Sequence, residues 1–367
     1  MRKIVIDISQ VAYEGSGVAR YTQHLVEALV GDEKNQYIFL FCALRRKLPE
    51  NIYEIIKNSP HVLIKKPIPP RLLEFLWNSL QFPSLELLIG QNFDLYISSD
   101  SAQAPTKAKK LTVIHDVIYK LFPDVFPDQI IGVQTRRYQR LIADKVDIIF
   151  DSNATKIDAL KVFPDFINRK CWVLYPPVYT TSPFGGNFDD LKKKYSLTKP
   201  FILTLGKIEP RKNIPRLISA WKSLNYENHD LVIVGSKGWQ NDSYLKNDEK
   251  IKFLGFVEDR ELDGLMKLSE FFVFPSIYEG FGYPIIEAMS RGVAIACSNN
   301  SSTSEVAEDA AITFDPLNEV DIAKKINLLI ENVELRKNLI AKGRERVKTF
   351  DFENFKTNLL KIIDECK

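Results

Sequence analysis

The sequence predicts an α/β protein made of two doubly wound parallel sheets. Three observations lead there. Short apolar runs recur along the chain and suit strands buried on both faces. Amphipathic stretches alternate with them, most clearly Ile130 to Ala143. The pair Pro176-Pro177 interrupts this alternation, which restarts at Phe201. Proline pairs stiffen the backbone and suit a linker, so the hinge is expected there.

The 367 residues allow two or three domains. Hydrophobic residues make up 45% and charged residues 26%, as in ordinary globular proteins. A net charge of +3 is too small for nucleic acid to be the main partner. Cys42, Cys171, Cys297 and Cys366 form no CxxC, and the first three sit in or beside apolar runs. Buried free thiols in a reducing compartment are expected, and no structural zinc site is visible. The opening MRKIVIDIS reads as a strand rather than a signal peptide, and no run of ~18 apolar residues appears. A cytoplasmic location is the expectation.

Ile4 to Ile8 reads as the first strand. The loop Tyr13-Glu14-Gly15-Ser16-Gly17 follows, then a helix carrying Tyr21, Leu25 and Leu29. Strand, glycine-rich loop and helix make a place for phosphate or close backbone contact, with Gly15 and Gly17 as candidates; a plain left-handed turn is the other reading. Tyr37 to Cys42, Val62 to Ile64, Leu95 to Ser98, Leu111 to His115, Asp147 to Phe150 and Cys171 to Tyr175 read as further strands. His115 falls at the carboxyl end of its strand, where open α/β sheets bind ligands. Asp151-Ser152-Asn153-Ala154 ends a strand and offers a helix cap. In 67–90, Leu72, Leu73, Leu76, Trp77 and Leu80 form an apolar stripe preceded by Lys65, Lys66 and Arg71. It reads either as a core-facing stripe or as a peripheral membrane or acceptor surface.

In the second half, Phe201 to Leu205 is a strand that Gly206 ends. Lys207-Ile208-Glu209-Pro210-Arg211-Lys212-Asn213 then leads into a helix through Trp221. Three cations at a strand-to-helix junction predict an anion site. Leu231 to Val234 and Ile251 to Leu254 are strands, followed by Gly235-Ser236-Lys237-Gly238 and by Gly255-Phe256-Val257. The apolar run Phe271 to Phe274 is ended by Pro275 and Ser276. After it come Glu279, then Gly280, Phe281 and Gly282, and an amphipathic helix that carries Glu287 and closes at Gly292. Glycines there let a ligand approach the backbone, and the helix N–H groups favour an anion. Ala294 to Cys297 and Ile312 to Phe314 are the last strands, with Ser302-Thr303-Ser304-Glu305 capping a short helix between them. Two helices over roughly 319–349 and one over Phe352 to Ile363 complete the chain.

Two acids with seven residues between them, around Gly-Phe-Gly-x-Pro after an apolar strand, resemble the Glu-x7-Glu signature of glycosyltransferase family 4. These are retaining, nucleotide-sugar-dependent enzymes with the GT-B fold. The resemblance implies two Rossmann-like domains facing across a cleft. It implies an acceptor-side domain at 1–176, joined by the C-terminal helix 351–367, and a nucleotide-sugar domain at 177–350. It implies that Gly15 and Gly17 approach the donor diphosphate or the acceptor, and that His115 lies near the donor sugar. Lys207 and Lys212 would follow Gly206 as the basic pair; relatives frequently carry arginine where Lys207 stands, so its bidentate contact is lost or taken over by Arg211. Phe256 and Val257 would contact the nucleobase through the backbone, Glu279 the sugar near its 3-hydroxyl, and Glu287 the ribose hydroxyls.

The expected activity is therefore transfer of a hexose, from a UDP-hexose such as UDP-glucose or from GDP-mannose, to a saccharide or lipid-linked acceptor in polysaccharide or glycoconjugate biosynthesis. Lys207, Arg211, Lys212 and the N–H groups of Gly280, Phe281 and Gly282 would stabilise the leaving diphosphate. No Asp-x-Asp pair ends an apolar strand, so metal-independent transfer is expected, with no cofactor beyond the donor substrate. A sugar-nucleotide epimerase and a non-catalytic nucleotide-sugar-binding protein are the alternatives. Glycoside hydrolases also use paired acids but need no such anion site.

Overall fold

The computed structural model describes residues 1–13, 15–98, 102–178, 183–236 and 249–366. Glu14, Lys237 and Gly238, named above as loop residues, lie outside the described residues. The chain divides into two compact units, Met1–Pro177 with Phe352–Lys367, and Val178–Asp351.

The first unit is a parallel seven-stranded sheet. Its strands are β1 Arg2–Asp7, β2 Asn35–Cys42, β3 Val62–Lys66, β4 Leu95–Ser98, β5 Lys109–Ile114, β6 Asp147–Phe150 and β7 Cys171–Val173. The order is β3-β2-β1-β4-β5-β6-β7, so chain direction across the sheet reverses between β1 and β4. Ile4, Val5, Leu95, Leu111 and Ile149 are fully buried, which is why these strands read as unbroken apolar runs rather than alternating ones. The helix Gly17–Leu29 starts where the Ser16 hydroxyl accepts the Ala19 N–H at 3.1 Å. Gly15, at φ +79°, makes the turn into it. The final helix, Phe352–Glu365, belongs to this unit and buries Phe355, Leu359, Ile362 and Ile363 in the same core as Tyr21, Leu25 and Leu29. The Arg2 guanidinium ties its last turn by donating to the Ile363 and Cys366 carbonyls at 3.0 and 2.8 Å.

The stripe at 67–90 divides. Leu73, Trp77 and Leu85 are core, packed with Val5, Leu40 and Tyr96. Leu72, Phe75, Leu80, Phe82 and Leu87 are exposed, at 46–66%. The helix Pro70–Phe75 passes into a wider π turn over Leu76–Leu80 and ends at Gln81 in the left-handed region. That change of pitch rotates the later side chains off the face that a 3.6-residue period assigns them.

The second unit has six parallel strands: β8 Phe201–Leu205, β9 Asp230–Val234, β10 Ile251–Gly255, β11 Phe271–Phe274, β12 Ile295–Ser298 and β13 Ile312–Phe314. Their order is β10-β9-β8-β11-β12-β13. The direction reverses between β8 and β11, so the crevice where such sheets bind ligands lies outside the carboxyl ends of these two strands. One sequence expectation needs correcting. Ser302-Thr303-Ser304-Glu305 lie inside the helix Ser301–Ala307 and do not cap it. Their hydroxyls are spent elsewhere: Ser302 donates to the Glu279 carbonyl at 2.8 Å and Thr303 to the Ser298 carbonyl at 2.9 Å.

All four cysteines are free thiols, three buried and Cys171 half-buried. Among the described residues, no helix is long and apolar enough to cross a membrane.

Candidate active site

The floor of the crevice in the second unit is two glycines. Gly206, after β8, and Gly235, after β9, have φ of +157° and +156°. Gly206 donates its N–H to the Val234 carbonyl at 2.9 Å. A Cβ on Gly235 would lie 2.0 Å from the Gly206 carbonyl oxygen, so nothing larger than glycine fits. Gly206 in turn lies beneath the Lys212 side chain, whose Cδ would be 3.1 Å from an added Cβ.

Lys212 arrives over Gly206 because the loop folds back on itself. Pro210–Lys212 form a single 3-10 turn, and Asn213, at φ +59°, reverses the chain into the helix Ile214–Leu224. Asn213 is held there by donating to the Pro275 and Pro316 carbonyls at 3.0 and 2.7 Å. Lys212 Nζ then sits 5.0 Å from the Phe274 ring centroid and 2.7 Å from Glu279 Oε1. Arg211 Nη1 pairs with Glu279 Oε2 and donates to the Tyr278 carbonyl at 3.2 Å. Its Nε and Nη2 both donate to Glu209 Oε1, at 3.1 and 2.6 Å.

The predicted anion site thus pairs two cations with two carboxylates, Glu209 and Glu279, only 6% and 9% exposed. Burial alone pushes the Glu279 carboxyl up, but the Arg211 and Lys212 charges outweigh it and hold the group at about 2. Burial and the Arg211 charge pull the Lys212 ammonium below its ordinary value, against the pull of Glu279. Lys207, in the same loop, is exposed.

Gly280, Phe281 and Gly282 carry the chain from Glu279 to the helix Tyr283–Ser290. Gly282 is its N-cap at φ +104°, with Pro284 in the first turn, so N–H groups at this end have no helical partner. Phe281 is 4% exposed, and its ring packs edge-on against Phe350 at 5.6 Å. Glu287 is 2% exposed within that helix, and its main-chain carbonyl is fixed by Arg291 Nη1 at 2.9 Å. In the Gly255–Val257 turn, Phe256 is 75% exposed and Val257 5%.

In the first unit, His115 follows β5 directly, as expected. Its Nδ1 is 2.7 Å from Asp151 Oδ2, and its ring meets Tyr21 edge-on at 5.1 Å. The sequence offers Asp151 only as part of a helix cap; the cap is Ser152, which accepts the Thr155 N–H at 3.0 Å. Burial raises the Asp151 carboxyl above the usual carboxylate range despite the His115 beside it. β5 and β6 pair in register through Ile114 and Phe150, so the residues just after each strand meet. Pairing register is the signal that would have found Asp151. Gly15 and Gly17 follow β1 after a 3-10 turn over Ser9–Ala12, Gly17 as the first residue of its helix.

Residues 187–346 match the family model described as "Glycosyl transferases group 1". The chain is 28% identical over 386 aligned positions to O-antigen chain mannosyltransferase B of Escherichia coli, covering 98% of each. It is 23% identical to O-antigen chain mannosyltransferase RfbU of Salmonella typhimurium, over 99% of this chain and 100% of that one. In three dimensions it resembles sucrose-phosphate synthase from Thermosynechococcus elongatus, with a TM-score of 0.77 at 18% identity, over 100% of this chain and 99% of that one. The fold is that of GT-B glycosyltransferases. The likenesses support a glycosyltransferase of polysaccharide biosynthesis.

Proposed function

We propose that this chain is a retaining, metal-independent hexosyltransferase that moves mannose from GDP-mannose to a saccharide or lipid-linked saccharide. The observation that carries the reading is the Lys212–Glu279 pair, 2.7 Å apart over Gly206, at the point where the second sheet reverses direction. A diphosphate in that crevice meets a buried ammonium, a helix N-terminus and a carboxylate in one place. Lys212 has three donor hydrogens and gives one to Glu279, which leaves donors for phosphate. With Lys207 and the N–H groups of Gly280 to Gly282, it stabilises the charge that develops on the leaving nucleotide. Glu279 orients the sugar, Glu287 the ribose, and the Phe256-Val257 turn the base. His115, held by Asp151, acts on the sugar side. Mannose is favoured over other hexoses because both full-length relatives above are described as mannosyltransferases.

The same reading includes a peripheral contact with the inner face of a membrane. Leu72, Phe75, Leu80, Phe82 and Leu87 are exposed, and the exposed cations Lys65 and Arg71 lie next to them in sequence. Co-sedimentation with anionic vesicles tests it; equal recovery of wild type and of Phe75→Ser/Phe82→Ser in the lipid pellet contradicts it.

The activity itself is tested with labelled GDP-mannose and UDP-glucose against a panel of saccharide and lipid-linked saccharide acceptors. Labelled product from GDP-mannose alone supports the assignment. Epimerised nucleotide sugar, or binding with no turnover, overturns it.

A further inference from the structure

We propose that Glu209 and Arg211 are positioning residues that fix the Glu279 carboxylate, and that Arg211 is not a ligand of the donor diphosphate. The inference rests on the donor-site reading above and assigns a division of labour within it.

β8 and β11 are neighbours in the sheet, and the loops that leave their carboxyl ends carry the two halves of the cluster. Something must hold these loops in one arrangement, and Arg211 does so at three points. Its carbonyl accepts the Ile277 N–H at 2.8 Å. Its Nη1 donates to the Tyr278 carbonyl at 3.2 Å, and the same nitrogen pairs with Glu279 Oε2. Main chain and side chain of one residue therefore stitch the β8 loop to the β11 loop.

Lys212 cannot do this alone. An ammonium on a four-carbon stem is a point charge and sets no orientation, whereas a guanidinium is a planar fork. The fork is itself fixed from behind. Glu209, 6% exposed, takes both Nε and Nη2 on one carboxylate oxygen. Pro210 restricts the backbone between them. With Nε and Nη2 on Glu209 and Nη1 on Glu279 and Tyr278, both edges of the fork are committed to protein acceptors. Lys212 gives one contact to Glu279 and keeps spare donors. Of two adjacent cations, Lys212 is the one equipped for phosphate and Arg211 the one equipped to hold the acid.

The test uses the full chain with Glu209→Gln, Arg211→Lys and, for comparison, Lys212→Ala. Calorimetry compares the free nucleotide with its sugar: GDP and GDP-mannose, or UDP and UDP-glucose if those are what the wild type binds. Free nucleotide should bind Glu209→Gln and Arg211→Lys within about threefold of wild type, while the nucleotide sugar binds about tenfold more weakly and kcat falls at least as far. Lys212→Ala should lose affinity for the free nucleotide itself. The double variant Glu209→Gln/Arg211→Lys should be no worse than Arg211→Lys, since the two act in series. Restoration of nucleotide-sugar binding to Arg211→Ala by added guanidinium, with free-nucleotide affinity near wild type both without and with it, marks a role in orientation and serves if Glu209→Gln does not fold. Arg211→Lys losing free-nucleotide affinity as Lys212→Ala does would overturn the proposal. So would wild-type sugar binding and turnover in Glu209→Gln, or no response of Arg211→Ala to guanidinium. A wild type that binds no nucleotide or nucleotide sugar removes the donor-site reading and this inference together, an outcome distinct from the others.

Discussion

Lys212 Nζ stands 2.7 Å from Glu279 Oε1, with both side chains nearly closed to solvent. A buried ion pair contributes little net stability in general, but removing one partner leaves the other uncompensated and is costly. The consequence for pH follows from the Glu279 carboxyl, which sits at about 2 in the fold against an ordinary 4.5. A carboxyl whose folded pKa is depressed stabilises the fold above its unfolded value, and the gain is lost as pH falls through the folded one. Glu279→Gln should therefore be less stable than wild type by a constant margin above about pH 5, and the margin should shrink between about pH 4.5 and 2. Urea melts of both proteins across that range check it. A margin that grows on acidification would contradict the pairing.

The two acids should separate kinetically. Glu279→Ala is expected to lower kcat with a smaller change in KM, because it orients the reacting sugar. Glu287→Ala is expected to raise the donor KM through lost ribose contacts. Lys212→Ala should cost about 2–4 kcal/mol in kcat/KM, the scale of a lost donor to a developing oxyanion. Steady-state kinetics with varied donor reads all three. Equal and negligible effects from both acid substitutions would remove them from the site.

His115 owes its orientation to Asp151, 2.7 Å away. Asp151→Asn should leave nucleoside diphosphate affinity within a few-fold while lowering kcat by about tenfold or more, as His115→Ala should. Calorimetry beside turnover assays distinguishes this from general damage. Loss of nucleotide binding in either variant would contradict the assignment of the nucleotide to the other unit.

Gly235 and Gly255 both have positive φ, but only Gly235 faces an obstruction. Gly235→Ala drives a methyl against the Gly206 carbonyl and should cost about 2–4 kcal/mol, combining strain with overpacking. Gly255→Ala, with nothing within 4 Å, should cost only the left-handed conformation, about 1–2 kcal/mol. Thermal unfolding of the two variants measures the difference, and equal melting points would refute the close approach.

The strands were legible because parallel strands buried on both faces leave unbroken apolar runs: Leu95–Ser98, Asp147–Phe150, Phe201–Leu205, Phe271–Phe274 and Ile312–Phe314 begin and end where the sequence reading puts them. The strand-end positions of His115 and Glu279 followed from that. Less legible was everything set by side-chain partnership across the sheet. Asp151 reads as a capping residue until neighbouring strands bring His115 beside it, and Glu209 as an ordinary loop acid until a 3-10 turn sets the Arg211 guanidinium on it. Arg211 and Lys212 look like part of an open anion site because a sequence cannot show that Glu279, sixty-seven residues beyond Lys212, pairs with both. In the stripe at 67–90, a π turn over Leu76–Leu80 breaks the period for the residues after it, while Leu72 and Phe75 are already exposed before it.

The most direct measurement is transfer from GDP-mannose by the full chain in the presence of EDTA, with the product's anomeric configuration read by NMR. The expected result is mannosylated acceptor with the donor's configuration kept, at the same rate with or without chelator, and loss of that product in Glu279→Ala. An inverted product, activity that EDTA abolishes and Mg²⁺ restores, or undiminished transfer by Glu279→Ala would contradict it.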